Sequence, residues 1–443
     1  MPYHGGDRLA GERASKLGHL DVVQSPFVKS LVDQFEYPER DENTAPPAPW
    51  REFDPSGVSP LGAVIAVDGS LQTVASTDHP VRELSFVKTA LVRLDKRELD
   101  KIDKRMPHPV HMKALMRDCA LHAATVLPLR NIRVPGQPHR MLVRHIVRDS
   151  LRLEADGLTY ETLKWLAYQK WDPAQHRSPA FGCPHCEGES EGLPHDADEG
   201  KCSLCGGDVL VSDVVGFHLE MGEDSSPESL ASAYMNIHET LLLFSVVRHF
   251  WVRDDFSSLS NLLLIKDGPL TLRGQYSKLV PAIRSLLAEA TIRKHPIYLI
   301  GQEKTGHLVD HLAEFAALSS PVKSTDLPRY AVLSHRYVRE EVYRTPDLVN
   351  PYGYRTNYGE KVFVKLDPYS WMVLNAPTGE YLDDKDKPAS IDDLIGFDRV
   401  LATLPSLVSY HNEGALIPIN LANGVASLSS YPSAAVLKLF AGL

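Results

Sequence analysis

Apolar positions near the start of the chain recur at helical spacing. Leu17, Leu20, Val23, Val28, Leu31, Val32 and Phe35 predict one or two amphipathic helices over residues 1–36, packed on a neighbour. The pattern then breaks, and residues 36–60 are rich in Pro, Glu, Asp and Asn, as in an extended linker. At Gly62 a different period begins. The run Gly62–Val67 is too short for a helix, is bounded by Pro60 and Gly69, and predicts a strand covered on both faces that ends at Asp68-Gly69-Ser70. A second copy of this plan, Asn261-Leu-Leu-Leu-Ile-Lys-Asp267-Gly268-Pro269, lies about two hundred residues downstream.

If the two strands are neighbours, their ends lie roughly 5 Å apart and both carboxylates reach one divalent cation. The plainer reading is that Asp-Gly is a favoured turn dipeptide after any strand, and Asp156-Gly157 uses it with no apolar run before it.

Further strands are predicted within 81–94 and at 209–215, 296–300, 361–366 and 370–374. Helices are predicted at 96–105, 151–171, 226–252 and 278–290, with a closing pair of which Pro418-Ile-Asn-Leu-Ala-Asn423 introduces the last. The divisions that follow are a helical segment with its Pro-rich linker (1–58), a first core part (59–178), an insertion (179–215) and a second core part (216–443).

The insertion carries the most specific local signal. Cys183-Pro-His-Cys186 and Cys202-Ser-Leu-Cys205-Gly-Gly are separated by fifteen residues, the spacing of a four-cysteine zinc ribbon. A closed four-thiolate shell leaves no open position for water, so the expected zinc is structural, with His185 and His195 as bystanders. Of five cysteines, only Cys119 stands outside this set, and it is expected to be a small buried residue. Paired CxxC motifs, a first twenty residues of mixed charge and no run of eighteen apolar residues point to a soluble cytoplasmic protein.

Net charge excludes a generic polyanion binder. Lys plus Arg number 47 against 57 Asp plus Glu, giving −10, so contact with nucleic acid needs a local patch. Residues 129–148 offer one: Arg130, Arg133, Arg140, Arg144 and Arg148, with His139 and His145 and no acid. Two readings stand level, a track for a phosphate backbone and a solvated or salt-bridged face.

Two other polar residues break apolar patterns. Glu239 lies inside the long predicted helix among Ile237, Leu241, Leu242 and Phe244, either at a wet edge or held against a cation. Lys304 follows a short strand in Gly301-Gln-Glu-Lys304-Thr305-Gly306, a plausible phosphate contact without Walker spacing.

Taken in order, the strand ending Val-Asp68-Gly-Ser70, the helix with Glu239, the strand ending Lys-Asp267-Gly-Pro-Leu270, the Gly301–Thr305 turn, the paired late strands and the Pro-x-x-Leu-Ala segment resemble the NurA nuclease family over residues 60–430. The resemblance implies an α/β fold with an RNase H-like core, a mixed central sheet flanked by helices. It also implies manganese- or magnesium-dependent DNA end processing, a homodimer, and partnership with a HerA-type hexameric translocase, with DNA repair or anti-phage defence as the setting. Carried over, Asp68 and Asp267 match the two strand-end metal carboxylates, Glu239 the helical glutamate with Glu228 as rival, and Lys304 the lysine of the strand-to-loop motif. The last metal ligand of the family is an acid or histidine, and its place here is held by Asn423, a weaker neutral ligand. The expected chemistry is hydrolysis of a phosphodiester by two cations roughly 4 Å apart. Two rivals remain: a scaffold that has lost catalysis, and a different metal-dependent hydrolase or phosphotransferase acting on nucleotides.

Overall fold

The computed structural model describes residues 22–35, 50–99, 120–318, 327–345, 351–367, 370–409, 414–428 and 432–443. The chain divides into two compact units, Met1–Pro46 and Pro47–Leu443. In the first, helix α1 (Pro26–Val32) begins at Ser25, whose hydroxyl accepts from Val28 N–H, and its residues are not buried. Cys119 lies outside the described residues, as does most of the expected helix at 96–105.

The second unit runs through β1 (Arg51–Glu52), β2 (Ala63–Ala75), β3 (Glu83–Asp95), β4 (Ala120–Arg130), α2 (His139–Leu153), α3 (Leu158–Ala167), β5 (Phe181–Gly182), β6 (Glu189–Ser190), β7 (Glu199–Lys201) and β8 (Asp208–Leu210). It continues through α4 (Leu230–Trp251), β9 (Leu262–Asp267), α5 (Val280–Ile292), β10 (Tyr298–Glu303), α6 (His307–Leu318), β11 (Arg329–Val332), β12 (Glu360–Lys365), β13 (Trp371–Ala376), α7 (Phe397–Thr403), α8 (Ile417–Ala426) and α9 (Ser433–Phe440). Nine strands form one mixed sheet in the order β1-β11-β12-β13-β10-β9-β2-β3-β4. β2, β3 and β4 are an antiparallel meander, whereas β9 runs parallel to β2 and β10 parallel to β9. The architecture is therefore α/β with a large mixed central sheet flanked by helices.

Because successive strand residues point to opposite faces, the central strands feed two cores. Ile65, Val67 and Leu264 pack with Leu241 and Leu242 of α4 and with Trp165 of α3. Val64, Ala66 and Ile265 pack on the other face with Leu401 of α7 and Leu421 of α8. Each Val, Ile or Leu among them contributes roughly 1.5–3 kcal/mol when fully buried. α4 is apolar around its circumference, and although it passes by length and composition as a membrane span, 72% of its most apolar window is buried inside the protein, as in a core helix.

Several expected boundaries move. β2 does not stop at Asp68-Gly69; it pairs with β3 as far as Ala75↔Glu83, so Asp68 sits within a strand. β9 does end where expected, at Asp267. The strand expected at 209–215 is only Asp208–Leu210, followed by a 3-10 turn. Residues 151–171 are divided by left-handed backbone at Ala155 and Asp156.

At the β4 margin of the sheet part of the outer backbone is engaged. Ala124 N–H donates to Glu154, Ser226 N–H donates to the Leu129 carbonyl, and Pro128 has no N–H to offer.

Candidate functional site at the carboxyl end of β9

The register of three strands builds the site. Val67 pairs with Lys266, and Asp267 with Gln302, so Asp68 comes level with Asp267 one step beyond the last β2–β9 pair. Asp68, Asp267 and Gln302 thus form a row on the face covered by α8, while Val67 and Lys266 turn to α4. This row lies at the carboxyl end of β9, where β2 has a parallel neighbour on one side and an antiparallel one on the other.

Asp68 is 3% exposed. Its Oδ1 accepts from Gly69 N–H at 2.7 Å, and its Oδ2 has no partner at hydrogen-bonding geometry. Burial, then the neighbouring Asp267 carboxylate, push its pKa up to about 8; Lys304 and the side chain of Asn423 pull it down, and Glu239 adds to the rise. Asp267, Lys304 and Asn423 therefore act on Asp68 at close range, and Glu239 acts on it from the other face of the sheet. Lys304 Nζ donates to Asp267 Oδ2 at 3.1 Å, with side chains 28% and 24% exposed, so the site opens to solvent on their side. Beside them Gln302 is fully buried, its amide nitrogen donating to the Gly414 carbonyl and its Oε1 unpartnered.

Asn423 reaches the site on α8. Pro418 in the first turn of that helix is placed where its missing N–H costs nothing. The far end is clasped: Lys88 Nζ donates to the Val425 carbonyl at 2.6 Å, and Leu428 N–H to Ser70 Oγ at 3.0 Å. Ser70 thus serves by fixing the helix above Asp68.

Glu239 enters from the opposite face on α4 and is 3% exposed. A Cβ on Gly69 would stand 2.4 Å from Met235 Cγ and 2.6 Å from Glu239 Oε1, so the glycine lets α4 lie against β2. Glu239 Oε2 accepts from Lys266 Nζ at 2.8 Å, inside the protein. Burial opposes the charge of Lys266, but the Glu239 carboxylate outweighs it and holds the ammonium above its ordinary pKa. The rival Glu228 is exposed in the turn before α4, about three helical turns from Glu239. Lys266 was not anticipated as a site residue. Its signal was a lysine inside an apolar strand run, where a buried ammonium requires a carboxylate partner.

The four cysteines converge as well. Cys183, Cys186, Cys202 and Cys205 sulfurs all lie within 4.8 Å of one another, the one group of three or more Cys, His, Asp or Glu ligands this close among the described residues. Two short hairpins, β5–β6 and β7–β8, carry them. His185 N–H and Leu204 N–H donate to Cys183 Sγ and Cys202 Sγ, each at 3.4 Å; backbone donors hold the Cys202 thiol down at about 7, whereas burial pushes the Cys183 thiol up despite them. The set can hold a metal such as zinc. His185 Nε2 donates instead to the Asp208 carbonyl at 3.0 Å, and the His195 ring lies against Tyr168. Phe181, Cys183, Cys202 and Val209 join the same apolar cluster as α4.

The arginine segment runs from the last residue of β4 through a loop into helix α2, and each arginine has an acidic neighbour. Arg130 is 3.6 Å from Glu83, Arg140 2.7 Å from Glu187 and Arg148 2.8 Å from Asp149, while Arg133 pairs with Asp224. Arg144 is 5% exposed, and its Nε and one terminal amine donate to Asp213 at 2.7 and 2.9 Å. A buried, doubly bonded guanidinium cannot contact a phosphate backbone, so Arg144 drops out of any such track.

No known family model matches the chain, and no curated protein matches it.

Proposed function

We propose that the chain is a divalent-cation-dependent hydrolase of phosphodiesters acting on DNA. The observation that carries this reading is the buried Asp68 carboxyl, whose Oδ2 makes no hydrogen bond of good geometry and has only the Asn423 side chain close by, beside the Asp267 carboxylate at the open end of β9. A carboxyl oxygen so placed costs free energy without a counter-charge, and hard oxygen ligands suit manganese or magnesium. The strand order supports an RNase H-like core, since the antiparallel meander passes its first strand directly to parallel β9 and β10. The sulfur cluster on two hairpins supports a structural zinc ribbon.

Asp68 and Asp267 would hold the ion, and Asn423 would offer its neutral amide oxygen from α8. The bound ion supplies polarisation of the phosphate and a more acidic water. Lys304, steadied by Asp267, stands at the exposed side, where its ammonium neutralises charge building on the phosphate oxygens. Water adds to phosphorus, the bond from phosphorus to the leaving oxygen breaks, and that oxygen takes up a proton. With the NurA resemblance, the reading extends to DNA ends delivered by a HerA-type hexameric translocase to a homodimer, in DNA repair or anti-phage defence. Arg130, Arg133, Arg140 and Arg148 remain available to guide the strand by exchanging their acidic neighbours for phosphates.

Purified protein with manganese should cut labelled linear DNA, alone or with a HerA-like ATPase, and Asp68→Asn should reduce cutting at least a hundredfold. Equal cutting by the variant, or none by zinc-loaded wild type under either condition, overturns the reading. A second reading, a scaffold with weakened catalysis, is favoured by the Lys266–Glu239 pair, which engages one expected ligand. It predicts no cutting with the motor complex intact.

A further inference from the structure

We infer that the site takes one divalent cation, with the Lys266 ammonium standing where a second cation would otherwise neutralise Glu239. This inference rests on the metal-dependent reading above.

The sheet separates the ligands. Asp68 and Asp267 lie on the α8 face with Gln302, whose buried Oε1 is also unpartnered. Lys266 and Glu239 lie on the α4 face. The three carboxylates are not within 4.8 Å of one another as a ligand set, so they do not form one cage. Glu239 Oε2 is taken by Lys266 at 2.8 Å, and Oε1 lies over Gly69. Lys266 Nζ also donates to the Asp267 carbonyl at 3.1 Å, which ties the ammonium to the very strand end that carries the metal carboxylate.

Charge points the same way. Asp68, Glu239 and Asp267 carry three negative charges when ionised, and Lys266 and Lys304 carry two positive ones, leaving one net negative charge. One divalent ion already reverses that sign. A second would stand beside a buried ammonium in a low dielectric, where like charges repel far more strongly than in water. Asn423, the polar side chain that α8 brings to this face, is neutral and adds no charge that a second ion would need.

The test is manganese binding to the full-length, zinc-loaded protein, read by the paramagnetic resonance of free manganese and by titration calorimetry. One manganese per chain is expected. Glu239→Gln should leave its affinity within about threefold, whereas Asp68→Asn and Asp267→Asn should each weaken it more than tenfold. Because Glu239→Gln leaves Lys266 without its carboxylate, the paired replacement Lys266→Met with Glu239→Leu, which removes both charges, serves as the second variant and should also keep one ion. Two manganese ions per chain in a protein that cuts DNA would overturn the one-ion inference and leave the nuclease reading standing. Loss of binding in Glu239→Gln as severe as in Asp267→Asn would do the same. One ion in a protein that cuts no DNA would overturn the nuclease reading alone, and no binding at all would overturn both.

Discussion

Ser70 Oγ accepts the backbone N–H of Leu428 at 3.0 Å, so a hydroxyl two residues beyond Asp68 holds the end of the helix that brings Asn423 to the site. Ser70→Ala should cost about 0.5–1.5 kcal/mol of stability, the net worth of one such bond. The check is a urea unfolding curve, in which an unchanged midpoint would show that α8 does not depend on the clasp.

Gly69→Ala places a methyl group against Met235 and Glu239. Overpacking of this kind typically costs 1–3 kcal/mol. Since the Met235 thioether chain is the nearer obstacle and Met adapts readily, Met235→Ala should restore part of the loss in the double variant. A double-mutant cycle reads that coupling, and strict additivity would mean that the helix does not approach the strand as closely as 2.4 Å implies.

The Asp68 carboxyl ordinarily titrates at 3.8 and is pushed up to about 8 by burial. Between those values the folded chain binds a proton that the unfolded chain has released, so stability falls as pH rises through this window. Asp68→Asn, which needs no proton, should therefore be more stable than wild type by an amount that grows from pH 4 to pH 8, on the order of several kcal/mol at the upper end. Thermal melts in buffer free of added divalent cations measure it. Added manganese should shrink the gap.

Among the arginines of the basic segment, Arg144 should behave unlike the rest. Arg144→Ala strands Asp213 inside the protein and should cost about 3–5 kcal/mol, whereas Arg148→Ala at the surface should cost less than about 1 kcal/mol. Denaturant unfolding separates the two. For the exposed arginines, a four-fold alanine variant should flatten the salt dependence of DNA binding, and an unchanged slope would remove them from the nucleic-acid path.

Cys202→Ser should release the expected zinc and lower the melting temperature by several degrees or more, because two hairpins of two or three residues per strand cannot stand without a cross-link. Metal content by atomic absorption and a melt on the same sample decide it. A variant that keeps one zinc per chain would assign the cluster another role.

Asp68 and Asp267 were legible because an apolar run that meets a carboxylate is a local pattern, and the CxxC pairs were legible because ligand spacing is local too. The length of β2 was not, since nothing in Gly69-Ser70-Leu71 says that β3 will pair with it as far as Ala75; that is decided across strands. Helix α2 is present in the sequence as Leu142, Val143, Val147 and Leu151, all buried, but the arginines set among them mask the apolar period. The pairing of Lys266 with Glu239 joins residues on a strand and a helix through tertiary packing. Each alone was visible as a charge out of place, and only the fold makes them partners.

The partly engaged margin at β4 has a bearing on assembly. With Pro128 and the contacts from Glu154 and Ser226 along one side, and a two-residue β1 at the other, the sheet presents among the described residues no long bare strand for a second molecule to extend. A second molecule adding a strand at these margins would meet interrupted backbone, at Ala124, Pro128 and Leu129 on one side and at a strand of two residues on the other.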